Sequence, residues 1–352
     1  MSGSDSPQVP LHDHAPLDAA AVKAAARACQ FTLVGLARAE RLPEAPLRTW
    51  LAEGHQAGLT WMGERIDERL DPRVVLPGAA TVVALAISYR RPAGERSQVA
   101  RYARGRDYHY AHRDRMKALR KRLLQLAPEL ETYACVDTGV AMEKAWAERA
   151  GLGFIGKNGC LITPGHGSWV TLSVMFLDRA VDVYDQPHGN LCGDCTRCLV
   201  GCPTGALPRP GVVDARRCIA YHTIESPTLA PPELRPRLRG HVFGCDVCQE
   251  VCPFNLRELP EGDARFAPRP LGLMPEEEMA ALSREEFDRL APGMALSRVQ
   301  YDGLRRNAIL ALGPARTRKI APLLQRLSSD DSEVVREAAR WALAELVEAP
   351  PT

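Results

Sequence analysis

The stretch CGDCTRCLVGCP, residues 192–203, and its partner CDVCQEVCP, residues 245–253, decide how the rest of this chain is read. The first run spaces Cys192, Cys195, Cys198 and Cys202 as C-x2-C-x2-C-x3-C and ends on Pro203. The second spaces Cys245, Cys248 and Cys252 as C-x2-C-x3-C and ends on Pro253, with Cys218 upstream. A cubane iron–sulfur cluster needs four thiolates. The x2 spacings wrap a short loop around one cluster, and the cysteine before proline reaches across to the other. On that logic Cys192, Cys195, Cys198 and Cys252 hold one 4Fe-4S cluster, and Cys202, Cys218, Cys245 and Cys248 hold a second. A ferredoxin-like module of this kind moves single electrons at low potential.

Paired C-x2-C motifs also build zinc sites, but a three-membered run closed by Cys-Pro suits zinc poorly. A disulfide framework fits less well still. Met1 to Pro16 is polar and rich in Pro and His, with no apolar signal-peptide core, and eight thiols in a leaderless chain imply a reducing, cytoplasmic setting. One departure from a compact ferredoxin stands out: 26 residues lie between Cys218 and Cys245. The Pro-rich middle of that insertion (Pro227, Pro231, Pro232, Pro236) predicts an excursion over the surface.

At 352 residues the chain has room for two or three domains, and a 45% hydrophobic content is that of a globular protein. No apolar run reaches membrane-spanning length, so no membrane partner is expected. The net charge of +2 is unevenly spread. From Arg90 to Arg122 there are twelve Lys/Arg against three acids, interleaved with Tyr102, Tyr108, His109, Tyr110 and His112. Such a mixture suits a phosphate backbone with bases stacked beside it. It equally suits the solvated face of an amphipathic helix over Arg113–Leu124.

Alternating patterns predict helices over Ala19–Cys29, Pro46–Glu53 and Ala141–Ala150, and strands over Phe31–Leu36, Ala80–Tyr89, Glu131–Val136 and Trp169–Phe176. Interleaved helices and strands define an α/β or α+β catalytic domain. The tail reads as helical over Tyr301–Leu312, Ile320–Leu327 and Asp331–Val347, a fragment of a HEAT-like repeat. The predicted multidomain layout is a disordered tail (1–17), a catalytic domain (18–188), the cluster module (189–258), a linker (259–299) and the helical repeat (300–348). Arg305, Arg306, Arg316, Arg318 and Lys319 give the repeat a basic rim, either a nucleic-acid surface or plain solvation.

Within the first domain, Asp137 falls where a buried strand ends. Desolvation there would raise its pKa and make it a proton donor, yet on position alone a helix cap is the simpler reading. The glycine-punctuated loop from Gly151 to Gly159 could cradle a phosphate or a flat cofactor edge, but it follows a helix and lacks the nucleotide-binding context. Cys29 and Cys135 read as packing residues. Cys160 reads as a small core residue or a neighbour of a cofactor.

From about residue 18 to its end, the chain resembles the epoxyqueuosine reductases, which complete queuosine synthesis in tRNA. The resemblance rests on Asp71-Pro72, Tyr102-Ala103-x-Gly105-x-Asp107-Tyr108-His109, Val136-Asp137, Ala147-Glu148-x-Ala150-Gly151-Leu152-Gly153, Gly156-Lys157-Asn158, Cys218-Ile219-x-Tyr221 and Phe243-Gly244-Cys245-Asp246-x-Cys248-Gln249, in this order around the cysteine framework. It implies a base-off cobalamin in the first domain, fed with electrons through the clusters by an external donor of the flavodoxin or ferredoxin type. It implies Asp137 as the proton donor to the epoxide. It further implies Met62, Tyr102, Asp137, Lys157, Asn158, Ala220, Val242 and Phe243 around the corrin, and a monomer that binds the anticodon stem-loop of tRNA bearing epoxyqueuosine. Arg305, Arg306, Arg316 and Lys319 would hold that RNA. Relatives often carry Ser where this chain has Ala220, and an apolar residue where it has His222. An alternative is a small-molecule reductase like the corrinoid iron–sulfur reductive dehalogenases, against which the basic, tyrosine-rich segment argues.

Overall fold

The computed structural model describes residues 15–91, 97–238, 240–313 and 318–347. Four strands, β1 (Leu33–Arg38), β2 (Thr81–Ser88), β3 (Thr132–Cys135) and β6 (Val170–Leu177), form one sheet in the order β1-β2-β6-β3. Every neighbouring pair is antiparallel, which resolves the fold as α+β. A further hairpin pairs β4 (Phe154–Ile155) with β5 (Leu161–Ile162).

The sequence of β2, TVVALAIS, explains the layering. All eight residues are buried, so both faces of the strand must be covered. Val83, Leu85 and Ile87 point to one side, against Val22 and Ala26 of the helix Ala19–Ala28 and Leu119 and Leu123 of the helix Tyr108–Leu126. Val82, Ala84 and Ala86 point to the other, against Trp146, Ala147 and Ala150 at the helix Glu143–Arg149. That helix ends where Gly151 adopts φ +70°, a left-handed turn at which glycine carries no steric cost. Its end lies so close to β1 that a Cβ on Gly35 would stand 2.0 Å from the Ala150 carbonyl oxygen.

Three expectations about organisation are corrected. The insertion 219–244 is not a surface excursion: Leu229, Ala230, Leu234, Leu238, Val242 and Phe243 are buried in one core with the C-terminal helices Gln300–Leu312, Ala321–Leu327 and Glu333–Val347. Residues 259–299 are not a linker. They carry the helices Glu276–Ala281 and Arg284–Leu290, and Leu271, Met279 and Met294 are fully buried in the same core. Of the expected tail, residues 1–14 lie outside the described residues, but Leu17 is buried and forms a parallel bridge to Val181. Among the described residues no helix is long and apolar enough to cross a membrane.

Candidate functional site

The cysteine framework forms two thiol sets. Cys192, Cys195, Cys198 and Cys252 line a cavity of about 220 Å³, together with Lys157, Asn158 and Ile162. In the second set, Cys202 Sγ accepts the Ala206 N–H (3.2 Å), and Cys245 Sγ lies 3.6 Å from His241 Nε2. Burial, and then the neighbouring Cys218 and Cys202 thiols, push the Cys245 thiol up to about 12. Thiols crowded in this way ionise together only against compensating positive charge, which the irons of a cluster provide. Cys160, from the glycine loop, lies within hydrogen-bond reach of Cys248 and so borders the second set.

The expected cradle from Gly151 to Gly159 is largely the β4–β5 hairpin. Its two polar residues tie it to the cysteine module: Lys157 Nζ donates to the Gly193 carbonyl (2.6 Å) and Asn158 Nδ2 to the Cys248 carbonyl (3.4 Å).

Just past β3 the backbone turns through Asp137 at φ +53°, a conformation that non-glycine residues adopt at a cost. Glu143 holds the turn: its Oε1 accepts the Asp137 N–H (2.7 Å) and faces the Cys135 thiol (3.5 Å). Asp137 caps no helix. The next helix begins after Met142 with no side-chain cap, and Asp137 Oδ2 instead faces His109 Nε2 at 3.4 Å. His109 is positioned by the start of its own helix. Asp107 is the N-cap, and its Oδ1 accepts both the His109 N–H (2.9 Å) and a contact from Nδ1 (2.7 Å). Such a cap is worth about 1 kcal/mol.

The electrostatics correct the expected protonation. Burial pushes the Asp137 carboxyl up, but the hydrogen bond and charge of His109, the Tyr108 hydroxyl and the Arg298 charge outweigh it and hold the carboxyl below its usual range. Conversely, burial opposes the charge on His109, yet Asp107 and Asp137 together raise it to about 9. Near neutral pH the proton therefore sits on the imidazolium, wedged between two carboxylates. The Asp137 side chain is still 53% exposed, open to a reacting group.

Around this pair, Tyr102 packs edge-on against Tyr108 (5.9 Å between centroids) and at a tilt against Phe243 (6.3 Å). Arg298, from the supposed linker, pairs with Glu225 of the insertion (2.8 Å), and its charge reaches Asp137. The resemblance motif contains Asp107, Tyr108 and His109, but their roles were not legible from it. Glu225 and Arg298 carried no sequence signal, because only the tertiary fold brings them to the aspartate.

The other expected site residues divide. Tyr102 lies near enough to Asp137 to feel its charge. Val242 and Phe243 are fully buried, and the Val242 carbonyl accepts from Asn307 Nδ2 (2.8 Å), so both are core supports for the site. Met62 is half-buried beside the core that packs under β2, and Ala220 is half-buried after Cys218. The expected RNA contacts at Arg305 and Arg306 are corrected. Arg305 is 6% exposed and forks onto Asp330, while Arg306 is 2% exposed and donates to the Ser226, Thr228 and His222 carbonyls. Lys319 is exposed, and Arg316 lies outside the described residues.

An α+β domain with a half-open Asp137–His109 pair, joined to a module with two sets of four cysteines, has the layout of an iron–sulfur oxidoreductase. Residues 191–255 match the 4Fe-4S double cluster binding domain family, and residues 69–138 match the family described as epoxyqueuosine reductase QueG. The chain is 46% identical over 308 residues to an epoxyqueuosine reductase of Gloeobacter violaceus, covering 84% of this chain and 96% of that one. It is 37% identical over 345 residues to one of Xanthomonas campestris, covering 94% and 97%. A crystal structure of epoxyqueuosine reductase with an epoxyqueuosine-modified tRNA-Tyr stem loop superposes with a TM-score of 0.85 at 31% identity, covering 92% of this chain and 89% of that one. The chain belongs to the epoxyqueuosine reductase family.

Proposed function

We propose that this protein reduces the epoxide of epoxyqueuosine in tRNA to the alkene of queuosine. The epoxide oxygen leaves as water, and the balance is two electrons and two protons per turnover. The observation that carries this reading is the Asp107–His109–Asp137 array: 2.7 Å and 3.4 Å contacts on either side of a ring that keeps its proton to about pH 9. An epoxide oxygen is a poor leaving group until it is protonated. The exposed Asp137 carboxylate would pass the proton held on the His109 imidazolium to the epoxide oxygen.

Cobalamin is the cofactor that fits. Tyr102, half-buried among aromatic rings and close to Asp137, would offer its hydroxyl to a polar group of the bound cofactor. Tyr102 and Asp137 would line the cofactor's side of the cleft, with Ala220 near the second thiol set. When bound, cobalamin supplies the reducing centre that the polypeptide lacks, and the two 4Fe-4S clusters supply its electrons.

An exposed surface near the cleft suits the RNA. Arg113, Lys117, Arg120, Lys121 and Arg122 are exposed along the helix Tyr108–Leu126. Tyr110, 41% exposed, lies between Arg106 (5.6 Å) and Arg113 (4.9 Å). A ring flanked by guanidiniums is a stacking platform for an unpaired base. Asp137→Asn tests the assignment: iron content is expected to stay at the wild-type level while epoxide reduction is lost. Full activity in that variant would remove Asp137 from the chemistry.

A further inference from the structure

The two thiol sets are not equivalent in position. Cys245 of the inner set packs against the core that holds Tyr102, and Tyr221, just after Cys218, reaches the Gly58 N–H of the catalytic domain through its hydroxyl (3.0 Å). The outer set lies at the surface, with Cys192, Cys195 and Cys198 on a loop whose intervening residues are exposed.

Beside that outer loop is an apolar patch with no partner. Val200 is 83% exposed, Leu256 63% and Leu191 53%. These are three of the eight large apolar side chains exposed among the described residues, and Val200 is the most exposed of them. Val200 and Leu256 border a shallow depression with Arg197, Val251 and Glu250. Scattered single apolar residues need no explanation, but two that share one depression beside the outer cysteine loop do. The rim is basic. Arg197 and Arg257 pair with no carboxylate among the described residues, and Glu250 is already paired with Arg101 (3.2 Å).

We propose that this patch is the docking surface for a small acidic protein that donates one electron at a time, a flavin or iron–sulfur carrier, to the outer cluster. The proposal rests on the cluster reading above. Each donor molecule is oxidised by one electron as the outer cluster is reduced by one, so two docking events supply the two electrons of one turnover. Apolar contact at the centre brings the centres close, and the arginines steer an acidic partner and make encounter salt-dependent.

The test uses the reconstituted holoprotein under anaerobic conditions. Reduced flavodoxin, and separately a reduced plant-type ferredoxin, are mixed with it, and cluster bleaching is followed by stopped flow. In the Val200→Glu/Leu256→Glu double variant, the second-order rate constant with the effective donor is expected to fall about tenfold or more, and Arg197→Glu is expected to flatten its salt dependence. Iron content and bleaching by dithionite should match wild type in both variants, separating docking from folding. An unchanged donor rate in the double variant would overturn the proposal, as would a wild-type holoprotein that neither donor reduces. If dithionite bleached no cluster in wild type, the cluster reading itself would fall and the docking surface with it.

Discussion

In the proposed reaction, Asp137 and His109 would divide the work that one protonated aspartate was expected to do. Position alone made Asp137 a helix cap, and the resemblance made it an acid. The structure turns it away from any helix and toward an imidazolium. The expected elevated pKa failed because desolvation is only one influence on a carboxyl group, and a cation at 3.4 Å outweighs it here. The histidine has the opposite sign. Its folded pKa lies above the ordinary 6.5, so the stability gained from its carboxylate partners is fully present below about pH 6.5 and is lost as pH rises through about 9. Proton supply follows the same limb. The rate of epoxide reduction is expected to fall as pH rises through about 9, and His109→Gln should remove that limb and slow the reaction at neutral pH. A pH–rate profile of the two proteins checks this; an unshifted limb in the variant would assign the proton to another group.

Individual elements show where sequence reading succeeds and where it stops. The four sheet strands were all anticipated to within a few residues, because a run such as TVVALAIS encodes burial on both faces directly. The insertion was misread because Pro-rich composition signals only a broken local pattern. What buries Leu229, Leu234 and Leu238 is the C-terminal core, far away in sequence. Arg305 and Arg306 were misread for a related reason, since an arginine on a helix looks the same whether it meets solvent or carbonyls. Arg306 lies among three backbone carbonyls and the Asn307 side chain, and burial draws it down to about 10. Arg306→Met should therefore destabilise the protein by about 3 kcal/mol, because it leaves buried acceptors unpaired. Thermal unfolding measures this, and a variant as stable as wild type would return Arg306 to the surface. Charge reversal on the exposed helix face, Lys117→Glu with Lys121→Glu, should instead leave stability within about 0.5 kcal/mol, weaken tRNA binding and lower its salt slope. Equal affinity at low and high salt would make that face ordinary solvation.

At the scale of the molecule, the double-cluster module was the most legible feature, since cluster chemistry dictates the cysteine spacing and the Cys-Pro ends. Cys198→Ala is expected to lower bound iron by about one cluster's worth and to stop turnover; undiminished iron would refute its place in the outer set. Less legible was how the parts join. Lys157 and Asn158 strap the catalytic domain to the cluster module, and Arg298 and Glu225 bring the C-terminal part to the same aspartate. Each of these contacts depends on residues far apart in the chain, which no local pattern reveals. In the proposed function, electron entry at the surface, the inner thiol set, the proton pair at Asp137 and a basic face for RNA form one catalytic unit. Its most direct test is anaerobic conversion of tRNA bearing epoxyqueuosine by protein reconstituted with iron, sulfide and cobalamin, followed by digestion and mass spectrometry of the nucleosides. The account predicts loss of one oxygen mass, dependent on cobalamin and on reductant. An epoxyqueuosine nucleoside left intact by fully loaded, reduced protein would contradict it.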